Sequence, residues 1–199
     1  MFSIIAGLQT GLRQRYAEPH RAYHGQSHID AMLRGLGREA GHVTHRAAAE
    51  LAVWYHDAIY DPAAMDNEAR SAVLLRDEMM ELADASTVDA AELMILATAD
   101  HLVPSGLPDA LRHDVETILD LDMAVLGATP DEYAAYEGGI AAEYGPVHGA
   151  DAFRRGRAGF LQGLLSRPRL FHTDRFHAAL DTPARKNLQR ALDALAAPG

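Results

Sequence analysis

The chain has no cysteine, so neither a disulfide nor a thiolate can take part in its stability or chemistry, and a reducing compartment suits it. No stretch reaches the roughly 18 consecutive apolar residues of a membrane span. The opening MFSIIAGLQTGLRQRY lacks a cationic start and a long apolar core, which predicts an amphipathic first helix rather than a signal peptide. Base is scarce relative to acid: 18 Lys and Arg against 28 Asp and Glu give a formal charge of −10, which disfavours non-specific attraction to nucleic acid or an anionic membrane. β-Branched alternating runs bounded by turn signals are missing too, which argues against a sheet. These absences together predict a cytoplasmic protein.

What is present is helical periodicity. An apolar content of 48% in 199 residues supports one sizeable core, and no long linker, repeat or low-complexity tract suggests a second domain. The expected architecture is a single all-α domain over residues 1–199. Helices are predicted near 2–16, 26–38, 44–60, 66–83, 87–102, 108–127, 130–144, 149–166 and 174–195. Pro62, Pro104, Pro108, Thr129-Pro130-Asp131, Gly145-Pro146 and Pro168 are expected to punctuate them.

Against this apolar background the stretch WYHDAIYD, residues 54–61, is anomalous. An ionised Asp57 beside His56, following Leu51, Ala52, Val53, Trp54 and Tyr55, is strongly disfavoured unless a hydrogen-bonded partner, a cation or a metal compensates it. Helical bundles gather metal ligands as His and carboxylates projecting inward from different helices. In RAYHGQSHI, His24 and His28 lie four apart and share a face if the helix begins by residue 24. His28 borders the stripe of Ile29, Met32, Leu33 and Leu36; the alternative is a helix-entry histidine with Ser27 as the cap.

In LRHDVETILDLDMAVLG the stripe Leu111, Val115, Ile118, Leu119, Val125 and Leu126 places Asp122 near its centre and Asp120 on the opposite, polar face. A carboxylate within a core stripe is a local violation of the kind found at functional sites, although an Arg or helix N-terminal amides would also satisfy it. His28, His56, Asp57 and Asp122 thus form a set of N/O ligands for one divalent metal ion. Mn²⁺, Fe²⁺, Co²⁺, Ni²⁺ and Zn²⁺ all suit such donors.

The order His28, His56-Asp57, Asp122 resembles the HD superfamily of metal-dependent phosphohydrolases, all-α proteins named for the adjacent His-Asp pair. The dipeptide alone carries no weight; the run EPHRAYHGQSHI, WYHDAIYDP, DNEARSA, ATADH, LDMAVLG, YAAYEGGIAAEY and ARKNL does. In order, these motifs are similar to the bacterial group described as predicted HD phosphohydrolases, from about Tyr16 to about Gln189. One departure is Ala141, where an Arg is common in that group.

The resemblance implies hydrolysis of a small phosphorylated substrate, with a nucleotide first among the classes. Glu68 is then the candidate base or water-orienting residue, with a first-turn role favoured by the helix dipole, and Asp66 as the cap, as the alternative. His24 is a candidate contact to substrate or to the reacting water. His101 is a candidate for substrate or, as in binuclear members, for a second metal; a histidine closing an apolar helix is the bland alternative. Arg21, Arg157 and Arg185 are the candidate phosphate-binding cations, and each could equally be an ion-pair residue. Tyr133, Tyr136 and Tyr144 read as core or as a stacking wall. The rival readings are a helical protein stabilised by a structural ion or sensing a ligand, and an HD-type oxygenase using two irons.

Overall fold

The computed structural model describes residues 10–196 and is all-α, with no strand among them. The chain divides into two compact units, Met1–Asp122 and Met123–Gly199. In the first, α1 covers residues 10–16, and the rest of the predicted 2–16 helix lies outside the described residues. It is followed by α2 (Gln26–Arg38), α3 (Arg46–Tyr55), α4 (Asn67–Met79), α5 (Ala85–Ala97) and α6 (Asp109–Asp122).

At the centre of this unit is α3. From Leu51 to Tyr55 every side chain is buried, and α2, α4, α5 and α6 all pack against the helix. A helix apolar on every face belongs in a core, and burial of Trp54 alone is worth about 3 kcal/mol. Its N-terminus is closed from α6: the buried Asp114 carboxylate accepts from Thr44 N at 2.9 Å and His45 N at 2.6 Å. These are amides that the helix itself leaves without a partner.

The predicted 44–60 helix ends at Tyr55, because the following residues are bound elsewhere. Ser71 Oγ accepts from Ile59 N at 3.0 Å, and Asn67 bonds both Asp61 N and Asp61 O. The start of α4 is therefore laced to the segment that follows His56 and Asp57. The 87–102 expectation shifts as well. Asp84 caps the start by accepting from Thr87 N, while Thr98 turns its hydroxyl back onto Ile95 O at 2.7 Å. His101 then leaves the helical path at φ 55°.

In the second unit a 3₁₀ segment (Met123–Gly127) precedes α7 (Pro130–His148), α8 (Ala150–Ser166) and α9 (Asp174–Ala196). The predicted 108–127 helix thus splits at Asp122. Gly127 is required where it stands, because a Cβ there would come within 2.7 Å of Leu180 Cβ. Asn187 Nδ2 donates to Leu126 O and Ala128 O, holding the 3₁₀ segment against α9. Thr129 and Glu132 form a capping box ahead of α7, with Pro130 in the first turn.

The break expected at Gly145-Pro146 is corrected: α7 runs through Pro146 and ends at Gly149, φ 77°. Proline there forfeits one bond in the last turn, and the helix has only Val147 and His148 left to build. Tyr133 and Tyr136 are buried, which gives them core positions. Tyr144 is half-buried and stacks on His148.

Candidate metal centre

Three helices of the first unit deliver the side chains. His28 sits in the first turn of α2, which starts from Gly25 and not from a Ser27 cap. His56 is the residue that ends α3, and Asp57 follows it in the turn. Asp122 is the last residue of α6.

His28, His56 and Asp122 form a group that could hold a metal ion. His28 Nε2 lies 3.1 Å from Asp122 Oδ1 and 3.3 Å from His56 Nε2. Two donors each about 2.1 Å from one ion lie roughly 3.0–3.4 Å apart at octahedral or tetrahedral angles, so this spacing fits a transition metal. Asp57 Oδ2 adjoins the group, 3.1 Å from His56 Nε2 and 4.0 Å from His28 Nε2.

The hydrogen bonds behind the rings specify what the group lacks. His56 Nδ1 lies 3.0 Å from Val53 O, so it must be the protonated nitrogen, and a neutral His56 presents Nε2 as a lone pair. That lone pair faces two carboxylates, which only accept. A set of acceptors pointed at one another calls for a cation or a proton. In the absence of metal the proton answers. Burial opposes charging His56, but the charge and hydrogen bond of Asp57, with the charge of Asp122, outweigh it and raise its pKa to about 9. Burial likewise works against ionised Asp57, yet His56 holds that carboxyl well below the usual range. Asp122 is held down against burial by hydrogen bonds from His101 and His28.

A pH dependence follows. The folded pKa of His56 exceeds its ordinary value of about 6.5, so this stabilisation is complete below pH 6.5 and is lost as pH rises through about 9. Melts of metal-stripped protein from pH 6 to 10 should show the midpoint falling mainly between pH 7 and 9. His56→Gln should flatten that fall, and an identical slope in the variant would refute the assignment.

His101 Nε2 contacts the other oxygen of Asp122 at 3.0 Å, so this histidine from the end of the α5 segment joins the margin of the group. His24 precedes α2 instead of sharing its face with His28. Its ring packs on Tyr60 with centroids 4.5 Å apart and lies 6.3 Å from the His28 ring. Glu68 is half-buried in the first turn of α4, and Asp66 at the N-cap position makes no side-chain cap bond.

The three arginines are occupied. Arg21 bonds Glu18 and the carbonyls of His24, Asp57 and Ala58. Arg157 pairs with Glu137 through two bonds and lies over the Tyr136 and Phe160 rings. Arg185 bonds Asp181 and the carbonyls of Leu165, Arg167 and Pro168.

Asp120 is a correction. It is 1% exposed and does not lie on a polar face, because α6 packs against α2, α3 and α5 and has few open sides; it is not a member of the metal-binding group. Tyr23 was not foreseen as a participant: its hydroxyl lies 3.2 Å from His28 Nδ1 and steadies the ring from behind. A tyrosine five residues before a candidate ligand histidine was the only signal for it. Among the described residues, no helix is long and apolar enough to cross a membrane. The chain matches no family model, no curated protein and no solved structure.

Proposed function

We propose that this chain is a metal-dependent phosphohydrolase acting on a small phosphorylated metabolite, with nucleotides the first class to test. The observation that carries the reading is the convergence of His28, His56, Asp57 and Asp122, in which the Nε2 of a neutral His56 is a lone pair facing two carboxylates that only accept. The resemblance of the surrounding motifs to HD phosphohydrolases supports the same chemistry.

His28 and His56 would bind one divalent ion through Nε2, and Asp57 and Asp122 through a carboxylate oxygen each. When bound, the ion supplies a Lewis acid for a phosphoryl oxygen and lowers the pKa of a water beside it. The chain's own residues do the rest. Val53 O and Tyr23 fix the two rings, and His101 orients Asp122. Side-chain exposures of 11% for Asp57 and 15% for Asp122, against 4% for His28 and 2% for His56, make the carboxylate edge the less deeply buried side of the group.

The test is turnover by metal-stripped protein reloaded separately with Mn²⁺, Fe²⁺, Co²⁺, Ni²⁺ and Zn²⁺, against nucleoside mono-, di- and triphosphates and simple phosphomonoesters. Phosphate release that depends on both metal and His56 supports the reading. Stoichiometric, inert metal would make it a structural ion, and oxygen consumption with two irons per chain would make it an oxygenase.

A further inference from the structure

We infer that Arg21 is a positioning residue for the metal centre, which sets the separation of His28 and His56 without touching either ring. The inference rests on the metal-binding reading above. The side chain is fully buried, and its guanidinium joins two stretches of backbone that are far apart in sequence. Nη1 donates to His24 O at 3.0 Å, just ahead of α2, and to Asp57 O at 2.7 Å; Nη2 donates to Ala58 O at 3.2 Å. The first carbonyl belongs to the turn that leads to His28, and the other two to the turn that carries His56 and Asp57.

Several features fix the fork itself. Nε donates to Glu18 at 3.0 Å, and the rings of Tyr16 and Tyr60 each lie 5.2 Å from the guanidinium carbon. Tyr16 makes a parallel tie by donating to Trp54 O at 2.9 Å. Of the five N–H groups of a guanidinium, these bonds engage four, so Arg21 is poorly placed to serve as a phosphate donor. Asp57 O and Ala58 O lie just beyond the C-terminal end of α3, where a cation is also favoured by the helix dipole. A planar fork can span three carbonyls at once, whereas a lysine ammonium is a point donor on a flexible stem.

The ion needs its donors at a set spacing, and His28 and His56 reach it from different helices. The backbone bond network that Arg21 centres is what holds the turns bearing them together. Loosening it should therefore weaken metal binding in a chain that remains folded.

The experiment is Mn²⁺ titration of the metal-stripped full chain by calorimetry, with circular dichroism and thermal melts on the same samples. The samples are wild type, Arg21→Lys, Arg21→Met and Asp114→Asn. Asp114 closes the far end of α3, so its variant is a control for general loosening. Arg21→Lys is expected to weaken Mn²⁺ binding about 10-fold with native helix content at 25 °C, as loss of a supporting contact around a metal does. Arg21→Met should weaken it further, while Asp114→Asn should melt earlier and bind as wild type does.

Unchanged affinity in Arg21→Lys overturns the inference. Equal weakening in Asp114→Asn also does, since the loss is then unspecific. An Arg21→Lys chain without native helix content overturns it as well, because the residue would then hold the fold and not the site. Failure of the wild type to bind Mn²⁺ or any of the other four ions is a separate result, which removes the metal reading and this inference with it.

Discussion

Replacing Asp57 with alanine is expected to abolish both metal binding and phosphate release. Asp57 is the charged partner of His56 at 3.1 Å and borders His28 at 4.0 Å, so its loss removes an anionic donor where a divalent ion most needs one. Two effects on stability oppose each other. The variant loses whatever the ion contributes to the folded state, because a ligand that binds only the native protein stabilises it. It also sheds a buried carboxylate that costs free energy when no metal is there. The informative quantity is therefore the difference between melts with and without added Mn²⁺: a clear rise for wild type and none for Asp57→Ala. Metal content measured on the same preparations should fall from about one ion per chain to near zero. Full metal-dependent turnover in the variant would reject the role given to Asp57.

His56 follows by linkage. Without the Asp57 charge, the largest influence raising its pKa is gone while burial still lowers it, so Asp57→Ala should also leave His56 neutral near pH 7. The pH-dependent loss of stability between pH 7 and 9 should therefore fade in this variant. A metal-stripped Asp57→Ala protein that keeps the wild-type slope would place the titrating group elsewhere.

How much of this could be read in advance differs residue by residue. Asp122 was legible because its stripe is apolar on one side and the phase of a helix is rigid, so a carboxylate at the centre of that stripe had to face its neighbours. Asp120 was not, because the same phase argument assumes solvent on the far side, and α6 has helices packed against it from several directions. All-α architecture followed from periodicity alone. Helix ends did not follow, since they depend on contacts distant in sequence: Ser71 and Asn67 bind the segment after α3, and a left-handed His101 lies beyond α5. The arginines were least legible. A guanidinium looks the same in a sequence whether it meets a phosphate or three backbone carbonyls, and only the fold distinguishes Arg21 from an open cationic site.

Glu68→Gln is expected to lower turnover by about 10²-fold with metal content unchanged, the size of effect usual for loss of a general base. The residue stands in the first turn of α4 between Asn67 and Ser71, which bind the backbone of Asp61 and Ile59, so its helix start is fastened to the turn that follows Asp57. The competing account is local: Glu68 is the acid of that first turn, Asp66 supplies no cap bond, and a carboxylate near helix amides is favoured by the dipole alone. That account predicts a melting midpoint lowered by a few degrees at most and normal chemistry, because the dipole term is worth about 0.3–1 kcal/mol. Gln preserves size and helix propensity while removing the charge, so single-turnover rate, metal content and a thermal melt on the same samples separate the two. A slowed rate with full metal assigns Glu68 to the reacting water. Equal rates assign it to the helix start, and loss of both metal and rate makes it a support of the ion.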